Sequence, residues 1–129
     1  RPQLRTIIEA LAQPGALPAV VHCTAGKDRT GIVVALVLAL AGVERSAIAE
    51  DYAATAERLA GPFMEEHRAR TEAAGIDWES YRSRLACPPE YMLETLAYLD
   101  TRHGGVAAYL VGCGIERSTI AALRRSIVE

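Results

Sequence analysis

The sequence predicts an α/β fold of one domain, residues 1–129, in which one strand of a parallel sheet runs into an anion-binding loop and a mainly helical C-terminal part. Three observations predict it. Ala19-Val20-Val21-His22 is a short apolar run and the only segment with convincing strand character. The next residues turn tightly through Gly26 into a run, Gly31 to Ala41, that is apolar on all sides, as expected of a helix packed under a sheet. Beyond it every segment has helical spacing. A parallel strand needs neighbours, because buried main-chain groups without partners are costly, and no other segment of the chain supplies them.

The elements follow in order. Arg1 is not a start residue, so further chain is expected upstream. Leu4, Ile7, Ile8 and Leu11 recur at i, i+3, i+4 and i+7, and Pro2 suits a first turn, which predicts a helix over Pro2 to Gln13 stopped by Pro14-Gly15. After the apolar helix Gly42 can take a left-handed cap, and Ser46 is read as the N-cap of a helix presenting Ile48, Tyr52, Ala56 and Leu59. Gly61-Pro62 breaks that helix. Phe63 to Ala74 is charged and weakly amphipathic, with Arg68 and Arg70 on its polar side, and is read as a surface or lid helix on the substrate side. Asp77 caps a short helix holding Trp78, Tyr81 and Leu85. Pro88-Pro89 opens another with Met92, Leu93, Leu96 and Leu99 in period, ending at Gly104-Gly105. A short helical piece, Val106 to Val111, precedes a last helix capped by Ser118 with Ile120, Leu123 and Ile127 on one face.

Composition narrows the classes of function. Half of the 129 residues are hydrophobic and the net charge is -2, which argues against nucleic acid as a partner. The longest apolar run is roughly half of the ~20 residues that a bilayer requires, so no transmembrane segment is expected. Cys23, Cys87 and Cys113 are odd in number and widely spaced, with no metal-ligand spacing, which points to a reducing compartment and to no metal or other cofactor. Lys27 is the only lysine, and it falls inside the loop.

The loop carries the chemistry. Main-chain amides of a tight turn and of a helix N-terminus together favour anions. A thiol in that field should ionise well below the ~8.5 of a free cysteine. Arg29, six residues after Cys23, can match two oxygens of a phosphate with its planar fork.

His22-Cys23, five intervening residues, then Arg29-Thr30-Gly31 resembles the signature of the cysteine-dependent protein tyrosine phosphatases. The full string HCTAGKDRTG is similar to the atypical bacterial branch, whose members act on phosphotyrosine, often on phosphoserine or phosphothreonine, and sometimes on phosphoinositides. The detailed match spans ten residues, 22–31, with looser similarity in the helical remainder. It implies a tyrosine-phosphatase-like fold in which the strand bearing the loop is central and most of its neighbours come earlier in the chain. This chain would then be the C-terminal portion of the domain, its sheet completed by an upstream fragment or a second chain.

The resemblance also implies roles. Cys23 is the nucleophile, forming a cysteinyl-phosphate. Arg29 clamps the phosphate, and the amides of Thr24, Ala25, Gly26, Lys27, Asp28 and Arg29 form the cradle, with Gly26 permitting the turn. Thr30 donates to the Cys23 sulfur, or is simply a first-turn helix residue. His22 orients the loop and favours the thiolate, or is a satisfied core histidine. Asp28 is the general acid, in place of an aspartate on a separate mobile loop. The water-positioning glutamine of the classical enzymes has no counterpart, since Gln3 and Gln13 precede the loop, so Asp28 serves as acid and then base. Lys27 is read as a second positive charge at the pocket mouth, suited to multiply phosphorylated or lipid substrates, or as a solvated charge. Cys87 and Cys113 are structural.

GKDRTG has the Gly-Lys of a nucleotide-binding loop, but Val21 stands where the first glycine is required and Asp28 follows the lysine in place of Ser or Thr. The competing readings are a non-catalytic phosphate-binding or helical interaction module, and a cysteine-based arsenate reductase or sulfurtransferase. The expected partner is a phosphorylated protein or a phosphoinositide, in bacterial cytoplasm or after export into a host cell.

Overall fold

The computed structural model describes residues 2–128, and its described residues are helical or irregular. Eight helices follow one another: α1 (Pro2–Leu11), α2 (Asp28–Leu40), α3 (Arg45–Arg58), α4 (Pro62–Ala73), α5 (Trp78–Leu85), α6 (Pro89–His103), α7 (Val106–Gly112) and α8 (Arg117–Val128). Among the described residues there is no strand. The segment predicted as one, Ala19 to His22, is irregular, and Val20 is 91% exposed on it. A strand is defined by its ladder partner, and here the described chain provides none.

α2 occupies the centre, packing on α3, α7 and α8, while α6 covers α3 and α7 and α1 lies on α8. Its apolar composition follows from that position: Ala35, Leu36 and Leu40 are buried among Ile8, Ile48, Tyr52, Leu96, Leu110 and Leu123. α6 shows the expected period, with Met92, Leu96 and Leu99 buried and Leu93, from the same apolar set, exposed. α4 and α5 stand apart, packed mainly on each other. No helix among the described residues is long and apolar enough to cross a membrane.

Local signals account for most helix ends. Asp77 accepts from the Ser80 amide at 2.9 Å and starts α5, and Gly104 ends α6 in the left-handed region at φ 78°. Two predicted caps are not used. α3 begins at Arg45 behind Glu44, one residue ahead of Ser46, and Ala56 faces solvent. α8 begins at Arg117, so Ser118 lies inside the helix, its hydroxyl bonded to Glu116. α2 begins at Asp28, three residues before the predicted start, which puts Asp28, Arg29 and Thr30 in its first turn. Gly31 sits where α2 meets α3: a Cβ there would lie 2.9 Å from the Tyr52 ring, so the close approach of α3 under the loop requires glycine.

Candidate active site

The loop from Cys23 to Lys27 wraps the N-terminus of α2. Gly26, at φ 67°, supplies the left-handed step that a side chain would strain. With the chain turned there, the amides of Ala25, Gly26 and Thr30 point at the Cys23 sulfur. The Thr30 hydroxyl is buried and completes no full hydrogen bond of its own. Its donation toward the sulfur is the largest cause acting on the Cys23 thiol, followed by burial, which opposes it, and then by the three amides; the net effect lowers the thiol from 9.0 to about 6. A thiol lowered this far favours its ionised form at neutral pH. Cys87 is buried beside Tyr52, and burial pushes its thiol up. Cys113 is a free thiol with half-exposed surroundings.

Cys23 opens into a cavity of about 260 Å³ lined also by Thr24, Ala25, Lys27, Asp28 and Arg29. Arg29 is exposed and donates through Nη2 to Thr24 Oγ1 at 3.3 Å, a long bond that leaves its fork free to turn onto an anion. His22 is exposed at the start of the loop among the described residues.

Lys27 is placed otherwise than expected. Instead of standing free at the mouth it is only 8% exposed, donating to the Arg84 carbonyl at 2.6 Å and pairing with Asp28 Oδ1 at 2.9 Å. The reason is the wall opposite the loop: α5 ends there, and its last carbonyls need donors. Lys27 therefore ties α5 to the loop and holds the Asp28 carboxylate at the cavity rim.

The Phe63 to Ala74 helix, expected on the substrate side, does border this cavity through His67, but the sequence marks neither His67 nor the α5 residues as part of the site. His67 from α4 and Tyr81, Arg84 and Leu85 from α5 complete the cavity. Phe63 stacks on His67 at 4.6 Å, and His67 meets Tyr81 at 5.9 Å, so an aromatic cluster holds α4 against α5 facing the sulfur. Arg68 and Arg70, expected on the substrate side, instead pair along α4 with Glu72 and Glu66 and do not line the cavity. The Phe63–His67 pair at i, i+4 was the one available signal.

The loop thus sets a thiol of lowered pKa, converging amides and the Arg29 guanidinium around one cavity, an arrangement whose chemistry suits an oxyanion. The chain belongs to the tyrosine phosphatase family, whose family model matches residues 1–129. It is 33% identical over 130 residues to a tyrosine-protein phosphatase of Nostoc commune, an alignment covering 96% of this chain and 44% of that protein. It is also 33% identical over 117 residues to the triple specificity protein phosphatase PtpB of Mycobacterium tuberculosis, covering 83% of this chain and 42% of the relative. The chain thus spans less than half the length of these relatives.

Proposed function

We propose that the protein hydrolyses phosphate monoesters, phosphotyrosine first among them, through a cysteinyl-phosphate on Cys23. The observation that carries this reading is the Cys23 thiol at about 6, facing a cavity that it shares with Arg29. The sulfur lone pair attacks phosphorus, the bond from phosphorus to the ester oxygen breaks, and that oxygen leaves with the Asp28 proton. Water then attacks phosphorus, gives its proton to Asp28, and expels the thiolate together with inorganic phosphate. Arg29 and the loop amides hold the three equatorial oxygens in both steps, and Thr30 stabilises the departing sulfur.

Asp28, at the rim and paired with Lys27, is the acid and then the base of this scheme. Asp28→Asn is expected to lower turnover of alkyl phosphates by about 10²- to 10⁴-fold and of p-nitrophenyl phosphate much less, because a good leaving group needs no proton. Phosphate release should be insensitive to chelators. Equal losses on both substrates would remove Asp28 from the acid role, and the absence of any turnover would favour a phosphate-binding module.

The His67 and Tyr81 rings beside the cavity support an aryl phosphate. Phosphoserine, phosphothreonine and phosphoinositide remain within the reading, with Arg84 as the rim charge available to them. Lys27 is committed to Arg84 and Asp28, so Lys27→Ala is expected to lower kcat/KM equally for a phosphotyrosine peptide and a soluble phosphoinositide, by loosening α5. A charged hydrogen bond of this kind is worth about 1.5–3 kcal/mol. A selective loss on the phosphoinositide would restore Lys27 as a direct substrate contact.

This chain is further proposed to be the C-terminal portion of a longer phosphatase domain, with Ala19–His22 taken into a parallel sheet by strands upstream. The unpartnered segment and the apolar groove beside it, lined by Val21, Val33, Val37 and Leu38, support this, as does the span of under half of each relative. Amides 19–22 should then be protected from hydrogen exchange in the longer protein; exchange at unprotected rates would contradict it. The free thiols are in keeping with a reducing cytoplasm as the site of action.

A further inference from the structure

A second cavity, of about 420 Å³, lies at the far end of α2 from the loop. Leu40 lines this cavity while Arg29 lines the catalytic one, so the two are separated by roughly 16 Å of helix. Its size is within the range of about 300–1,000 Å³ of small-molecule sites. Leu40, Val106 and Ile120 make an apolar floor, and Arg45, Arg117 and Arg124 surround it, with no acidic residue among the lining groups.

The charges there do not balance. Arg45 is satisfied by Asp100, donating to both carboxylate oxygens at 2.7 and 2.8 Å. Glu116, the acid next to Arg117, accepts from the Ser118 hydroxyl. Arg117 and Arg124 have no ion pair or side-chain hydrogen bond among the described residues. They sit seven residues apart, two turns along one face of α8, with Ile120 between them on that face. Both side chains are exposed at the rim of one concave, partly apolar surface, and neither has a carboxylate partner among the described residues, so both forks are available to an anion there. In a chain of net charge -2 this cavity is a local concentration of positive charge.

We infer that this cavity is a second anion site, independent of the catalytic loop, that takes the phosphate group of a phosphorylated molecule with a small apolar body. Two free guanidinium forks match the charge of about -1.5 to -2 that a phosphate monoester carries at neutral pH, which a single carboxylate does not. The apolar floor accepts the carbon part of the same ligand. A free metabolite and a lipid headgroup both present this chemistry, and the experiment below distinguishes them.

Inorganic phosphate titrated into the 15N-labelled protein tests the site. The Arg117 and Arg124 Nε–H signals are expected to shift saturably, as a set separate from the amides of 24–29. The double variant Arg117→Gln, Arg124→Gln should weaken the first set at least tenfold while leaving the second set and phosphatase turnover unchanged. Binding of glycerol 3-phosphate without sedimentation on vesicles of phosphatidylcholine and phosphatidic acid assigns a free phosphate. Sedimentation lost in the double variant assigns a headgroup. Arginine signals that stay fixed while the loop saturates, or shifts that persist in the double variant, overturn the inference.

Discussion

Serine in place of Cys23 is expected to lower kcat on a phosphotyrosine peptide on the order of 10⁴- to 10⁶-fold while leaving phosphate binding largely intact. The change is nearly isosteric, so the amide cradle and Arg29 stay where they are. What is lost is ionisation. The Thr30 hydroxyl and the amides of Thr30, Gly26 and Ala25 bring a thiol from 9.0 to about 6. The same partners cannot bring an alcohol within reach of neutral pH, and a neutral hydroxyl without a base is a poor nucleophile. Steady-state turnover together with phosphate binding by calorimetry checks both halves. Substantial turnover by the serine variant would place the nucleophile elsewhere.

Arg29→Lys, which preserves the charge, is expected to cost about 10³-fold or more in kcat/KM. A lysine ammonium is a point donor and cannot span two equatorial oxygens as the planar fork does. The long 3.3 Å bond to Thr24 keeps the arginine near the cavity without consuming it, so the loss falls on the transition state, where charge on the transferring group is greatest. The Cys23 thiol is lowered chiefly by the Thr30 hydroxyl and the loop amides, and lysine keeps the positive charge of Arg29. Thiol ionisation should therefore be unchanged in the variant, which separates loss of the clamp from damage to the loop. A lysine enzyme within tenfold of the parent would show that the amides alone bear the charge.

The local geometry of the loop was legible because its parts occupy consecutive residues: the cysteine, the turn glycine, the arginine and the Thr30 hydroxyl all fall within 22–31, and one turn brings them around one cavity. Helices whose burial follows the 3.6 period were legible too, as Met92, Leu96 and Leu99 illustrate. Ser46 and Ser118 misled because capping preference is a weak bias that neighbouring residues override. Lys27 misled for a different reason: a lone charge is ordinarily solvated, and only the arrival of α5, with its Arg84 carbonyl, makes burial favourable. The aromatic wall of His67 and Tyr81 was hidden because it is assembled by tertiary packing of two helices far along the chain from the loop. Ala19–His22 has no ladder partner among the described residues, and its local pattern of apolar residues cannot supply one, so the predicted strand is not seen there.

The central claim is that Cys23 is held as a thiolate by the loop, and the most direct measurement is its alkylation rate by iodoacetamide as a function of pH, followed at Cys23 by peptide mapping. The rate is expected to rise through a midpoint near pH 6 and stay level above it, because a lowered thiol is ionised at every pH beyond its own midpoint. A rate that keeps climbing to a midpoint near the ordinary thiol value of about 8.5 would contradict the account.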